Sequence, residues 1–435
     1  MDERDQRCGP RRCVPRARVP CGHDLRALPR RHQPQRDRGR AARPSRSRLQ
    51  RAAAGDAAER GSRLVKTWRI ALAALTLAWA AAAPAAEPIL VGQSAVLTGP
   101  LAPNSLAFME GQKLLFDQLN KAGGVGGRPV KLITYDDVYA PDKAAANAEK
   151  LLGTDRVVCL FGTMGTGIGA AMVPVAAKYD SFIFGGLTGA AVLRGPKVPI
   201  YHVRESYADE VHRVMNHLKT VGVVRIAVVS SDDAYGKGIE KDALEALQKN
   251  GLSPVLSLRF DPQEKEPART AQQVIASGAQ AVYVIAAGMP AINVIRALVA
   301  APVHPQIYTN SVASSFLLYK ELGDKSRGIV LSQVMPPFWK TRFPIVDEYQ
   351  RARRSAGSEG EGSYLGLEGY ITAKAFAEAL QRVKGPVTTE SLRRSIETSP
   401  PMDLGGYTLA FRPDNRNGSS FGDITMLASG GKFAQ

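Results

Sequence analysis

Cysteine is nearly missing from this 435-residue chain: Cys8, Cys13 and Cys21 lie close to its start, and only Cys159 follows. One thiol beyond the first 21 residues excludes an internal disulfide there and lacks the paired ligands of a zinc site. Cys159, inside the apolar VVCLF, reads as a small core residue. Histidine is scarce as well. Beyond residue 85 there are only His202, His212, His217 and His304, and the five-residue spacing of His212 and His217 on one expected helix suits a solvated face better than a metal. Neither GxSxG nor HExxH occurs, so no catalytic constellation, metal or cofactor is expected. GTGIGA at Gly165–Ala170 fits GxGxxA, but it follows the third expected strand and no acidic residue ends the next one, which sets a nicotinamide enzyme aside.

Residues 1–65 lack Phe, Trp, Tyr, Ile, Lys, Asn and Thr altogether, while holding 18 Arg and 7 acidic residues. Such a segment has little to bury against the entropy of ordering it. Three readings stay open for 1–64: a nucleic-acid arm, a disordered leader, or an upstream start-site artefact. The last is favoured by what comes next. In LVKTWRIALAALTLAWAAAAPAAEP, two basic residues precede a largely apolar run from Ile70 to Ala83 and then small residues, the three parts of a secretory signal peptide over 65–85 with cleavage expected before Ala86. The run has 14 residues, short of the roughly 20 that span a bilayer. Residues 86–435 then hold 37 basic and 33 acidic side chains, a balance that excludes a nucleic-acid partner as the default expectation.

From Ile89 onward Val/Ile-rich runs alternate with helix-period segments. Strands are expected at ILVGQSAV, RPVKLITYDD and RVVCLF, with helices between them. A second series holds helices at 207–220, 237–250, 268–276 and 290–299, with strands at RIAVVSS, SPVLSLRF, AVYVIAA, PQIYTN and RGIVLSQV. Helices at 344–355, 366–384 and 388–398 precede a β-rich end. Repeated βα units imply parallel sheets with helices on both faces. The domain expectation is a first lobe over 86–204, a second over 205–333, a return to the first over 334–420, and a C-terminal return to the second over 421–435.

Ligands of parallel α/β sheets sit beyond the carboxyl ends of the strands, against helix N-termini. Two stretches, FGTMGTGIGAA and FGGLTGAAVLR, run from a strand through glycine and threonine into small residues. Thr166 and Thr188 offer hydroxyls, and Gly165, Gly167 and Gly189 permit close approach to the backbone. Together they form a cradle suited to a carboxylate, or else two turns without a ligand.

The segments VGQSAVLTGPLA, KAGGVGGRPVKLITYDDVYAPDKAAANAEKL, FGGLTGAAVLR, VRESYADE, DDAYGKG and LEGYITAKAF, in that order, resemble the type I periplasmic solute-binding proteins of ABC transporters, leucine/isoleucine/valine-binding class. The resemblance covers about 88–435. It implies a two-lobed α/β fold, each lobe a mostly parallel sheet flanked by helices, joined by a three-strand hinge that closes on a small solute. Hinge positions then fall at Arg204, Glu205, Gln333 and Val334. Thr166 and the loop Leu187–Gly189 match the carboxylate-receiving positions, Asn104 and Ser105 the wall after TGP, and Tyr235 a tyrosine of the second lobe. Implied partners are a small carboxylate-bearing solute and an inner-membrane permease; a periplasmic monomer is expected. One departure stands out. Where amino-acid binders place a carboxylate for the ligand ammonium, this chain has Asn310 and Ser311, so an organic or aromatic acid is as good a candidate as an amino acid. A two-lobed signalling sensor is the alternative reading, and Glu368 is expected near the start of a packed helix.

Overall fold

The computed structural model describes residues 86–435, apart from Glu264, Glu361 and Gln435. The leader and signal segment expected before Ala86 lie outside the described residues. The first sheet is built from β1 (Ile89–Ala95), β2 (Val130–Asp136), β3 (Leu160–Phe161), β4 (Ile183–Phe184) and β5 (Ile200–Tyr201), in the order β2-β1-β3-β4-β5 and wholly parallel. Its first three crossovers carry α1 (Ala102–Lys121), α2 (Pro141–Glu149) and α3 (Thr166–Lys178).

The chain then enters a second body with α4 (Tyr207–Thr220). There Ser206 accepts from the Asp209 amide and Asp209 reaches back to the Ser206 backbone, a capping box that fixes where the helix begins. Strands β6 (Ile226–Ser231), β7 (Leu256–Phe260), β8 (Ala281–Ile285), β9 (Gln306–Thr309) and β10 (Val330–Gln333) alternate with α5 (Ala234–Lys249), α6 (Pro267–Ala276), α7 (Gly288–Val299) and α8 (Ser315–Leu322). After β10 come α9 (Pro344–Ser355), α10 (Tyr364–Gln381) and α11 (Thr389–Thr398), then the small hairpin of β11 (Met402–Asp403) and β12 (Thr408–Leu409). The chain ends in β13 (Asp423–Leu427) and β14 (Phe433–Ala434), antiparallel additions to the second sheet, whose order is β14-β13-β10-β9-β8-β6-β7.

Each sheet is buried on both faces, which explains its near-continuous apolar strands. Phe116, Phe161, Phe184 and Phe376 meet at the centre of the first core, and Tyr349, Tyr370 and Leu392 from the later helices join it. The second sheet has a core on either side, around Val229 and Val284 on one and Val228 and Tyr283 on the other. The backbone therefore passes three times between the bodies: after β5, after β10 and before β13. Tyr407 ties two of these passages together, its hydroxyl donating to the carbonyls of Val203 at 2.8 Å and Val334 at 3.3 Å.

Two differences from the expected pattern have simple causes. Only the last two residues of RVVCLF form the strand, because the preceding residues run through a bend before the chain takes its place between β1 and β4. Helix α8 lies where no helix was expected; SFLLYKEL is short, and Ser314 caps it by accepting from the Leu317 amide. Helix α10 crosses α1 so tightly that a methyl group on Gly369 would collide with the Phe108 carbonyl, and one on Gly111 with that of Gly366. That crossing sets the position of Glu368.

Candidate functional site

The first wall of the cleft forms where β3 and β4 end. Beyond β3, Met164 still bridges Leu187 in parallel, and the Leu187 amide donates to the Thr163 carbonyl at 2.7 Å, so the two glycine-threonine loops run side by side. Gly165 has φ of 111° and a Cβ there would strike the Tyr139 ring, so only glycine lets α3 start at this point. Thr166 and Thr188, both buried, place their hydroxyl oxygens 3.2 Å apart. The first-turn amides of α3 have no carbonyl one turn back to bond, and they add the positive end of a helix dipole beside these hydroxyls. Gly189 lies against Tyr207, where any side chain would clash with the ring.

The facing wall is the loop after β9, and four side chains converge on it, those of Tyr235, Asn104, Glu210 and Arg204. Tyr235 donates to Asn310 Oδ1 at 2.7 Å, while its ring meets Tyr207 edge-on at 5.2 Å. Asn104, from α1, donates across the cleft to the Val312 carbonyl at 2.7 Å. Between them Ser311 is held from below by Glu210, which accepts from its amide at 3.0 Å and its hydroxyl at 2.9 Å. Asn104 and Asn310 thus occupy the cleft, but Ser311 is not a free lining hydroxyl. Ser105 turns along its own helix toward Met109 and joins nothing in the cleft. Leu187 packs into an apolar cluster with Val96, Leu101, Phe108, Met164 and Leu365 behind the loops.

The expectation for Arg204 needs enlarging. It lies on a passage between the bodies, yet its side chain is wholly buried and centres a charged cluster assembled from both. Its Nη2 is 3.0 Å from Glu210 and also donates to Ser311, Nη1 is 3.7 Å from Glu368 on α10, and the guanidinium lies 5.3 Å from the centre of the Tyr207 ring. Glu210 also accepts from Ser332 at 2.6 Å. Burial pushes the Glu368 carboxyl up to about 7, with Arg204 opposing and Glu210 reinforcing the shift. Burial likewise pushes Tyr207 up to about 12, so it stays a neutral phenol. The other positions expected at the hinge are plainer: Glu205 pairs with Arg213 at 2.9 Å, Gln333 ends β10, and Val334 is buried beneath Tyr407.

Arg204 and Glu210 both stand in VRESYADE, but their role was illegible there, because Ser311, Ser332 and Glu368 arrive from three other elements. Tyr207 was missed for the same reason. Outward from Thr166, a pocket of about 340 Å³ opens between the bodies, walled by Val96, Leu101, Tyr139, Ile168, Pro262 and Pro290. Among the described residues no group of three or more His, Cys, Asp or Glu could hold a metal, and no helix is long and apolar enough to cross a membrane. His217 instead bonds the Tyr308 hydroxyl at 3.1 Å.

Two α/β bodies, three passages and a polar cleft between them are what a hinged receptor requires, and the family profile described as periplasmic binding protein matches residues 88–432. The chain belongs to that family. Among its relatives is the Leu/Ile/Val-binding protein homolog 7 of Brucella suis biovar 1, 23% identical over 356 residues, spanning 78% of this chain and 88% of the relative. A crystal structure of a possible leucine/isoleucine/valine-binding protein from Rhodopirellula baltica SH 1 superposes with a TM-score of 0.76 at 27% identity, covering 81% of this chain and 97% of that one. The branched-chain amino acid ABC transporter protein of Thermus thermophilus with bound valine superposes at 0.74 with 16% identity, covering 80% and 94%, a likeness of fold alone. The fold is that of a type I periplasmic binding protein, and the family is a class of solute-binding proteins that are generally not enzymes.

Proposed function

We propose that this protein is the solute-binding component of an ABC importer, exported after cleavage before Ala86, which captures a small carboxylate-bearing solute between its lobes and presents it to an inner-membrane permease. The observation that carries this reading is the pairing of the Thr166 and Thr188 hydroxyls at 3.2 Å at the start of α3, facing Asn310 and Tyr235 across the cleft. Hydroxyls, free helix amides and a helix dipole form a water-excluded receptor for one carboxylate. Tyr139 and Gly167 join this cradle to the largely apolar pocket at the mouth, which has room for a side chain or ring and carries Asp233 and Asp261 in its lining. No carboxylate stands at positions 310 and 311, which favours an acid without an ammonium group.

A branched-chain amino acid is the second reading, favoured by one observation: two buried carboxylates, Glu210 and Glu368, share the single cation Arg204. Thermal unfolding of the purified protein against a panel of carboxylates and amino acids separates the two. A ligand at 100 times its dissociation constant stabilises by about 2.7 kcal/mol. Stabilisation by acids and not by amino acids is expected; stabilisation by leucine, isoleucine or valine alone selects the second reading, and no response to any carboxylate removes both.

A further inference from the structure

Several donors in the cleft are buried without a hydrogen-bond acceptor. Arg204 uses Nη2 for Glu210 and Ser311, but Nε and Nη1 make no hydrogen bond, and Glu368 stands 3.7 Å from Nη1. Asn310 spends its carbonyl oxygen on Tyr235, while Nδ2 has no partner. Both residues are completely buried. They are neighbours, because Arg204 grips Ser311, the residue next to Asn310. Buried donors left unsatisfied are rare and costly, and in a binding cleft they mark where a ligand's acceptor belongs.

The position and charge of this pair restrict the acceptor. Tyr207 stands beside the Gly189 loop and meets Thr188 at one edge, and the Arg204 guanidinium lies over its ring, so Tyr207 links the carboxylate cradle to Arg204. An ammonium has no lone pair to accept from Arg204 Nε, Arg204 Nη1 or Asn310 Nδ2 and would leave all three unsatisfied. A second full carboxylate would have to compete with Glu210 and Glu368 for one cation. A neutral oxygen close to the solute's carboxylate meets both conditions.

We propose that Arg204 and Asn310 form an oxygen-receiving pole of the cleft, and that the solute is an oxo- or hydroxy-acid whose second oxygen they hold. This rests on the carboxylate-receptor reading and deepens it. Arg204 is then a specificity-determining residue as well as part of a passage between the lobes.

The test is calorimetric titration with matched acids on several carbon skeletons, aliphatic and aromatic, each in 2-oxo, 2-hydroxy, 2-amino and unsubstituted form. In the wild-type protein the oxo or hydroxy form is expected to bind at least about tenfold more tightly than the unsubstituted acid of the same skeleton. Asn310→Asp keeps the acceptor for Tyr235 and replaces the unpartnered donor with an oxygen, and Arg204→Lys keeps a cation for Glu210 while removing the fork. Because the oxo, hydroxy and unsubstituted forms are all monoanions, added charge cancels in their affinity ratio, which is expected to fall to within about threefold in each variant. A wild-type ratio near one, an amino form that binds best, or a ratio unchanged in both variants overturns the inference while leaving a carboxylate receptor standing. Failure of every acid to bind removes the receptor reading and this inference together.

Discussion

Asn104, in the first turn of α1, reaches across the cleft to donate a 2.7 Å hydrogen bond to the Val312 carbonyl on the opposite lobe. Both groups are buried, so the bond is made only when the lobes are together. It therefore contributes to closure itself, whatever the solute. Asn104→Ala removes a neutral hydrogen bond worth about 1 kcal/mol net, and the apparent affinity should fall roughly fivefold because less of the protein is binding-competent. Small-angle scattering of the solute-free variant should show a larger radius of gyration than wild type. Unchanged affinity and unchanged scattering would make the contact incidental.

The cradle makes a different demand. Thr166 and Thr188 touch each other, and Thr188 also accepts a long 3.3 Å bond from the Ala190 amide and meets the Tyr207 phenol. Their removal should cost the empty protein little and the complex much. Thr166→Ala and Thr188→Ala are each expected to weaken solute binding by roughly tenfold or more, the worth of a hydrogen bond to a charged group. Thermal unfolding without solute should move by only a few degrees. Affinity retained in both variants would reduce the two loops to structural turns.

How much of this was legible in the sequence depends on how local each signal is. Helices α4 and α9 have the bounds expected of them because their starts are marked within a few residues, by the Ser206–Asp209 box and by Pro344. Thr166 and Thr188 were legible because each stands in a glycine-rich turn at a strand end. The cluster around Arg204 was not, since its partners come from α4, the loop after β9, β10 and α10. Glu368 shows the limit most clearly. Near the start of an apolar helix it reads as an ordinary dipole-favoured carboxylate, and only the close crossing of α1 and α10 carries it to a buried guanidinium.

Glu368 also gives the fold a measurable dependence on pH. Its carboxyl has an ordinary value of 4.5 and is pushed up to about 7, so between these values the folded chain holds a proton that the unfolded chain has released. Stability from this group is then fully present below pH 4.5 and declines as pH rises, by on the order of 3 kcal/mol once pH 7 is passed. Two neighbours act in overlapping ranges: Glu205, pushed up to about 8 by burial, has the same sign, whereas His202, pushed down to about 3 by burial, loses stability as pH falls below its ordinary value of 6.5. The difference between Glu368→Gln and wild type isolates the first group, because the amide mimics the protonated acid. Urea unfolding should give the two proteins nearly equal stability at pH 4.5 and a growing advantage to Glu368→Gln through pH 7. A variant that is instead less stable than wild type at pH 8 would mean that the fold favours the ionised Glu368, as a full ion partner of Arg204, rather than penalising it.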